Sequence, residues 1–98
     1  MTITKAASGA DLTLNVEGRI DANTAPQLEQ ELNASLDDVT NLTLNLKDLA
    51  YISSAGLRVL LMAQKRMMKQ GAMRVTNVCE AVLDVFEMTG FSDILTIE

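Results

Sequence analysis

The sequence contains no histidine, no tryptophan, one cysteine and one proline in 98 residues. Without histidine, the chain lacks the usual general base of hydrolytic sites, the Ser-His and Cys-His dyads, and the commonest metal ligand. A single cysteine excludes an internal disulfide and is typical of proteins from a reducing cytoplasm. We therefore predict a cytoplasmic protein that is not an enzyme and has no metal or other cofactor.

Aromatic residues make up only 3% of the chain, and eight basic residues face thirteen acidic ones, for a net charge of −5. Base-stacking platforms and a basic footprint are both missing, which argues against nucleic-acid binding. No apolar run approaches the roughly 18 to 20 residues that span a bilayer, and the N-terminus lacks the apolar region of a signal peptide. The chain is 48% hydrophobic, which suits one small core. We expect a single domain over residues 1–98 that does not bind membranes and is a monomer when free.

Alternating apolar and polar residues indicate two strands. Asp11–Glu17 and Asn41–Leu46 each place three apolar side chains on one face and polar side chains on the other, which is typical of a half-buried strand. A turn at Gly9 predicts a hairpin between a short edge strand around Ile3 and the first of these strands, which Gly18 is expected to end. Because a parallel strand covered on both faces would be continuously apolar, these patterns predict helices on only one side of the sheet.

Apolar residues at helical spacing predict three helices. The helices are expected at about Ala25–Ser35, at Ala55 to about Gln70, and from just after Asn77, with Cys79 in the first turn, to a stop at Gly90. Further short strands are expected at Ala72–Thr76 and Ile94–Ile97. Capping-box spacing between Thr24 and Gln27, and again between Asn77 and Glu80, predicts the starts of the first and third helices.

The longest predicted helix carries a basic stripe, which we define as Arg58, Lys65 and Lys69, with Arg66 and Met62 beside it. Four of the eight basic residues of an acidic protein therefore fall on one helix. One interpretation is an ordinary solvated helix face. The other is a docking face for an acidic groove on a partner, where complementary potentials would speed and orient the encounter.

Two serines stand where the strand region runs into this helix. Serine is a preferred N-cap, so either Ser53 or Ser54 can cap the helix. Alternatively, one of them is a modification site, because a phosphate at a helix N-terminus faces unpaired N–H groups and the positive end of the helix dipole. Gly56 weakens the first helical turn, and we expect its missing Cβ to let a partner approach the neighbouring serine.

The run Asp48–Leu57, which reads Asp-Leu-Ala-Tyr-Ile-Ser-Ser-Ala-Gly-Leu, resembles the phosphorylation loop of the anti-sigma factor antagonists. These are phosphorylatable, single-domain bacterial members of the STAS family. Gly18–Asp21 and Val85–Phe91 resemble the family's first loop and third helix, in the same order along the chain. The resemblance covers essentially the whole chain and implies a STAS-like α/β fold, with a mixed four- to five-stranded sheet and helices packed mainly on one face.

In this family the phosphorylatable serine lies two residues before the glycine, which implies Ser54 here. Many members have Asp immediately before that serine, and this chain has Ser53, which is left as the helix cap. A phosphate on Ser53 instead is the alternative register. The loop that contains Asp21 lies near the phosphorylation loop in the family and helps to form the surface that faces the kinase. The expected partner-binding residues are Asp21, Ser53, Ser54, Gly56 and Arg58.

The resemblance implies that the unphosphorylated protein binds an anti-sigma factor that is also a serine kinase of the histidine-kinase-like ATPase fold. Phosphorylation of Ser54 would release the protein from the kinase, and a metal-dependent serine phosphatase would remove the phosphate. The ATP and the metal then belong to the partners. The alternative is a STAS interaction subunit of a signalling or transport complex that is not phosphorylated. Its surface would be the basic stripe, with an exposed Met62.

Overall fold

The structure is a computed structural model that describes all 98 residues. The elements in chain order are β1 (Thr2–Ser8), β2 (Asp11–Ile20), α1 (Ala25–Ser35), β3 (Asn41–Asn45), β4 (Leu49–Ile52), α2 (Ser54–Gln70), β5 (Ala72–Thr76), α3 (Glu80–Thr89) and a 3-10 turn (Phe91–Asp93). This order confirms the predicted α/β class with a mixed, five-stranded sheet.

Strand β2 is the strand on which the sheet is built. β1 pairs with it in antiparallel fashion as the predicted hairpin, and β3 and β4 both pair with it in parallel along its other edge. The prediction that Gly18 ends this strand is wrong, because β2 continues to Ile20 and uses Gly18–Ile20 to bind β4. β5 pairs in parallel with β3 and completes the sheet.

The sheet has one apolar face and one polar face, as the alternation predicts. Leu14 of β2 and Leu44 of β3 are fully buried on the helix side. On the other side, the Asn45 side-chain amide donates a hydrogen bond of 2.8 Å to Asn15 Oδ1 across the same two strands. The core is one cluster of 24 buried residues, all of them hydrophobic, and the three helices supply its second layer.

The predicted start of α1 is confirmed, because Thr24 is its N-cap, but neither predicted capping box forms and α3 starts later than predicted. Thr24 precedes α1 but makes no cap bond to it, because its hydroxyl donates to the Arg19 carbonyl at 2.9 Å and accepts from the Asp21 N–H at 2.8 Å. The N-cap of α3 is Cys79, not Asn77, and it makes no side-chain cap bond either. Gly90 ends α3 as predicted, in a left-handed conformation with φ of 80°.

Two further predictions need correction. The expected strand at Ile94–Ile97 is reduced to a single parallel bridge between Ile97 and Val75. On α2, Met62 is partly buried against the core, whereas Met68 is 72% exposed. The apolar surface beside the basic stripe is therefore provided mainly by Met68. No helix of the protein has the length and apolar character needed to cross a membrane.

Candidate functional site

The predicted site lies at the carboxyl ends of β2 and β4. These strands are parallel neighbours, so they finish at the same edge of the sheet. The Ser53 N–H donates a 2.8 Å hydrogen bond to the Ile20 carbonyl and holds the two strand ends together. The loop that begins at Asp21 and the joint that contains Ser54 therefore leave the sheet side by side.

The two serines have different surroundings. Ser53 is the N-cap of α2, is partly buried, and accepts a long hydrogen bond of 3.4 Å from the Gly56 N–H at its Oγ. Ser54 is the first residue of the helix, and it is exposed. The cap predicted for one of the pair is thus Ser53, and the hydroxyl that a second protein can reach is that of Ser54.

Asp21 organises the loop between β2 and α1. Its Oδ1 accepts hydrogen bonds from the Asn23 N–H at 2.9 Å and the Thr24 N–H at 3.1 Å. These two backbone donors, helped by the Thr24 hydroxyl and the positive charge of Arg19, hold the pKa of Asp21 below its ordinary value. Hydrogen bonds to the charged form favour that form, so the site presents a fixed carboxylate at the end of the strand next to the one that leads to Ser53.

Arg19 and Tyr51 complete this edge, and the sequence reasoning missed both of them. They are register partners in β2 and β4, and the Arg19 guanidinium carbon lies 4.3 Å from the centroid of the Tyr51 ring. The Tyr51 side chain is 39% exposed. A cation over an aromatic face is attracted by the ring quadrupole, so the pair adds an ordered and accessible patch to the surface.

Gly56 has a different role from the expected one. It is buried, and a Cβ there would lie 2.6 Å from Ile20 Cγ2 and 2.7 Å from Ile52 Cγ1. The missing side chain therefore lets the first turn of α2 pack tightly on the ends of β2 and β4. The expectation that Gly56 opens access for a partner is wrong, because the space belongs to the protein's own core.

Arg58 lies one helical turn after Ser54 and is exposed like it. Residues four apart on a helix are neighbours on one face, so the structure brings Arg58 and Ser54 to the same side of α2. Of the predicted residues, Asp21, Ser53 and Ser54 lie at the edge where β2 and β4 end. Arg58 lies one helical turn further along the exposed side of α2. Gly56 supports that edge from beneath.

The edge contains no cluster of candidate metal ligands. No group of three or more His, Cys, Asp or Glu residues is placed to hold a metal ion. A shallow depression of about 600 Å³ lies elsewhere, over the polar sheet face at the starts of β2, β3 and β5, where Asp11, Thr43 and Arg74 line it.

Comparison with known proteins identifies the family to which this architecture belongs. The STAS domain model matches residues 2–98. The anti-sigma-B factor antagonist of Bacillus subtilis is 34% identical over 88 residues, which are 89% of this chain and 81% of that protein.

Solved structures give the same result. The crystal structure of an anti-sigma factor antagonist from Mycobacterium paratuberculosis has a TM-score of 0.89 at 25% identity, covering 98% of this chain and 83% of the other. The phosphorylated form of the Bacillus cell fate determinant SpoIIAA has a TM-score of 0.77 at 15% identity, over 99% of this chain and 91% of its own, and shares the fold. Since the family match spans nearly all residues and the identity to a curated relative extends over most of both proteins, the chain belongs to the STAS domain family.

Proposed function

We propose that the protein is an anti-sigma factor antagonist that works as a phosphorylation switch at Ser54. In its unphosphorylated form it binds an anti-sigma factor that is also a serine kinase. The kinase transfers the γ-phosphoryl group of ATP to the Ser54 hydroxyl, with loss of the hydroxyl proton and release of ADP, and the complex then weakens. A metal-dependent serine phosphatase restores the free hydroxyl. The protein itself is a regulator and not an enzyme.

The observation that carries the proposal is the contrast between the two serines. Ser54 is exposed at the first position of α2, while the hydroxyl of Ser53 is engaged as the cap. A kinase needs a hydroxyl that it can reach, and Ser54 offers one at the edge shared with Asp21 and Tyr51. The names of the relatives support the regulatory role, since the B. subtilis and M. paratuberculosis proteins are anti-sigma factor antagonists.

Electrostatics explains how one phosphate would act as a switch. A phosphoserine carries about −1.5 to −2 charges at neutral pH. Asp21 follows the neighbouring strand end, and its carboxylate is charged at neutral pH, with a pKa held below its ordinary value. Carrying two such negative groups into a desolvated interface is unfavourable unless the partner supplies cations. Removal of the phosphate restores a surface with only the Asp21 charge.

The test uses three variants and the kinase from the organism that encodes the protein. Ser54→Ala is used to capture the kinase, because it cannot be phosphorylated and released. The purified kinase is then incubated with ATP and either wild type or Ser53→Ala. We expect a single phosphate in both, located on Ser54 by peptide mapping across Asp48–Arg58.

The binding constant of Ser54→Asp gives the second readout. An unpaired charge in an interface typically costs 2 kcal/mol or more, so we expect binding at least about 30-fold weaker than wild type. Equal binding of Ser54→Asp and wild type would rule out the switch. A phosphate found on Ser53 would move the site by one residue and leave the function intact.

A further inference from the structure

The outer face of α2 is a continuous line that starts at Ser54. Ser54, Arg58, Lys65 and Lys69 are all exposed, and steps of four, seven and four residues return to the same side of a helix with 3.6 residues per turn. This side is opposite the buried face, whose centre includes Ala63 and Met67. From Ser54 to Lys69 the line is about 22 Å long at 1.5 Å per residue.

Charge is divided sharply between α2 and the rest of the protein. The helix carries four basic residues and no acidic residue, and the remainder carries four basic and thirteen acidic residues. The basic stripe is therefore a local positive strip on a protein with a net charge of −5. Its field is felt mainly within a Debye length of about 8 to 10 Å at physiological salt, so the stripe attracts only a surface that comes close to α2.

The stripe is also not neutralised from within the chain. The three ion pairs of the structure are Lys5–Glu31, Arg66–Asp37 and Arg74–Glu98, with the Arg66 guanidinium 2.6 Å from the Asp37 carboxylate. Arg66 is the helix cation that turns away from the stripe. Arg58, Lys65 and Lys69 take part in none of the three pairs, although the chain contains thirteen carboxylates.

Apolar groups accompany these cations. Leu61 is half buried and lies between Arg58 and Lys65 on the same side of the helix, and Met68 is 72% exposed beside Lys69. Methionine is flexible and polarisable and suits adaptable contacts with a partner. Cations beside accessible apolar side chains are the composition of a docking surface, where charge orients the partner and apolar burial supplies affinity.

We propose that the basic stripe, together with Leu61 and Met68, docks into an acidic groove on the kinase. The inference rests on the proposed function and adds the chemistry of the partner's surface. A groove on a folded protein can be as long as the strip, which extends about 22 Å along α2. Nucleic acid or an anionic membrane would extend past the helix and repel the acidic remainder. A phosphate on Ser54 would place about −1.5 to −2 charges at the end of a strip of three positive charges and oppose the same contact.

The experiment compares two double variants that each remove two positive charges. Lys65→Gln/Lys69→Gln neutralises the stripe, and Lys5→Gln/Arg74→Gln is the matched control on β1 and β5. Association with the kinase is measured by stopped flow at low salt and again in 0.5 M NaCl. We expect the stripe variant to associate about tenfold more slowly at low salt and the control to stay within about twofold of wild type. High salt should remove most of the difference.

The outcomes separate the two proposals. Equal association rates for the stripe variant and its control would overturn the docking surface while leaving the phosphorylation switch standing. If no kinase is captured, the proposed function fails, and the surface is tested alone by NMR titration of 15N-labelled protein with poly-L-glutamate. Chemical-shift changes confined to the outer face of α2 and lost in the stripe variant would support the surface.

Two results, one from that titration and one from a vesicle-binding assay run beside it, would overturn the docking surface. One is a set of shift changes scattered over all basic residues. The other is stripe-dependent binding to phosphatidylglycerol vesicles that is tighter than binding to poly-L-glutamate, because the stripe would then be a membrane contact.

Discussion

The starts of α1 and α2 are alike in position and different in construction. Each helix follows a strand of the parallel pair β2 and β4, and both begin at the same edge of the sheet. At α1, the loop is closed by the side chains of Asp21 and Thr24, which make five hydrogen bonds with nearby backbone and with each other. At α2, one long cap bond from Gly56 to Ser53 is made, and the turn is held by packing on Ile20 and Ile52.

The difference decides which polar groups are held in place and which are open to a partner. At α1 the polar groups of the loop satisfy one another, so the Asp21 carboxylate is fixed but already engaged. At α2 the fixing element is apolar and lies beneath the helix, which leaves the polar outer side of the first turn available. The first N–H groups of a helix have no partner within it, and Ser54 stands among them. The hydroxyl at which we propose phosphorylation therefore lies on the outer side of a turn that is supported from its buried side.

Gly56→Ala gives the largest expected effect, because it attacks the packing that supports the start of α2. The added Cβ would lie 2.6 Å from a methyl group of Ile20 and 2.7 Å from Ile52, both buried and β-branched. Overpacking of this kind typically costs about 1–3 kcal/mol, of which better helix propensity offsets up to about 1 kcal/mol. Urea unfolding should show a lower midpoint.

Ser54→Ala is the matched control for that substitution. It changes an exposed position of the same turn, and surface changes usually stay within about 0.5 kcal/mol. A Gly56→Ala protein that unfolds at the wild-type urea concentration would show that the start of α2 is not supported by contact with the two isoleucines.

Asp21→Asn attacks the start of α1 and should have an intermediate effect. The substitution keeps an oxygen acceptor but removes the charge that the Asn23 and Thr24 N–H groups stabilise. The folded-state pKa of Asp21 lies below its ordinary value. Its charge therefore contributes stability above the unfolded-state pKa, and that contribution is lost as the pH falls through the folded-state pKa.

The measurement is urea unfolding of wild type and Asp21→Asn between pH 7 and pH 2.5. Wild type should be the more stable protein at pH 7, and the two curves of stability against pH should converge on the acid side. The other twelve carboxylates titrate in both proteins, so the difference reports Asp21. A difference that stays constant to pH 2.5 would mean that its charge is not stabilised in the fold.

Features of this fold that depend on residues close together in the sequence were predicted, and features that depend on distant residues were not. Alternating residues predicted the buried faces of β2 and β3 because that pattern is local and repeats every two residues. β4 was missed because Leu49 and Ile52 are its buried residues and the spacing breaks the alternation. Its pairing with β2 sets Gly18 opposite Leu49 and Arg19 opposite Tyr51. Ala50 is therefore an extra residue, as in a β-bulge.

The site was predicted as far as local chemistry and resemblance reach. Local chemistry left either serine as the cap, and the resemblance assigned the cap to Ser53 and the modifiable hydroxyl to Ser54. The Arg19–Tyr51 pair depends on a register between strands 32 residues apart, which no local pattern contains. The role of Gly56 likewise depends on Ile20 across the strand pair. Side chains that act through neighbours distant in the sequence become visible only in the folded protein.

Ser53→Ala should give the smallest loss of stability, because the start of α2 is held mainly by packing and not by its cap bond. The Ser53 cap bond is 3.4 Å long, and removal of a serine N-cap costs typically 0.5–2 kcal/mol, so we expect a loss of about 0.5 kcal/mol in urea unfolding. Ser53→Asp is the control, because it keeps the acceptor and adds a charge that favours a helix N-terminus, and it should match or exceed wild type. If Ser53→Ala lost as much stability as Gly56→Ala, the cap bond rather than the packing on Ile20 and Ile52 would hold the start of α2. A phosphate on Ser54 would then compete for the same polar contacts that hold the turn.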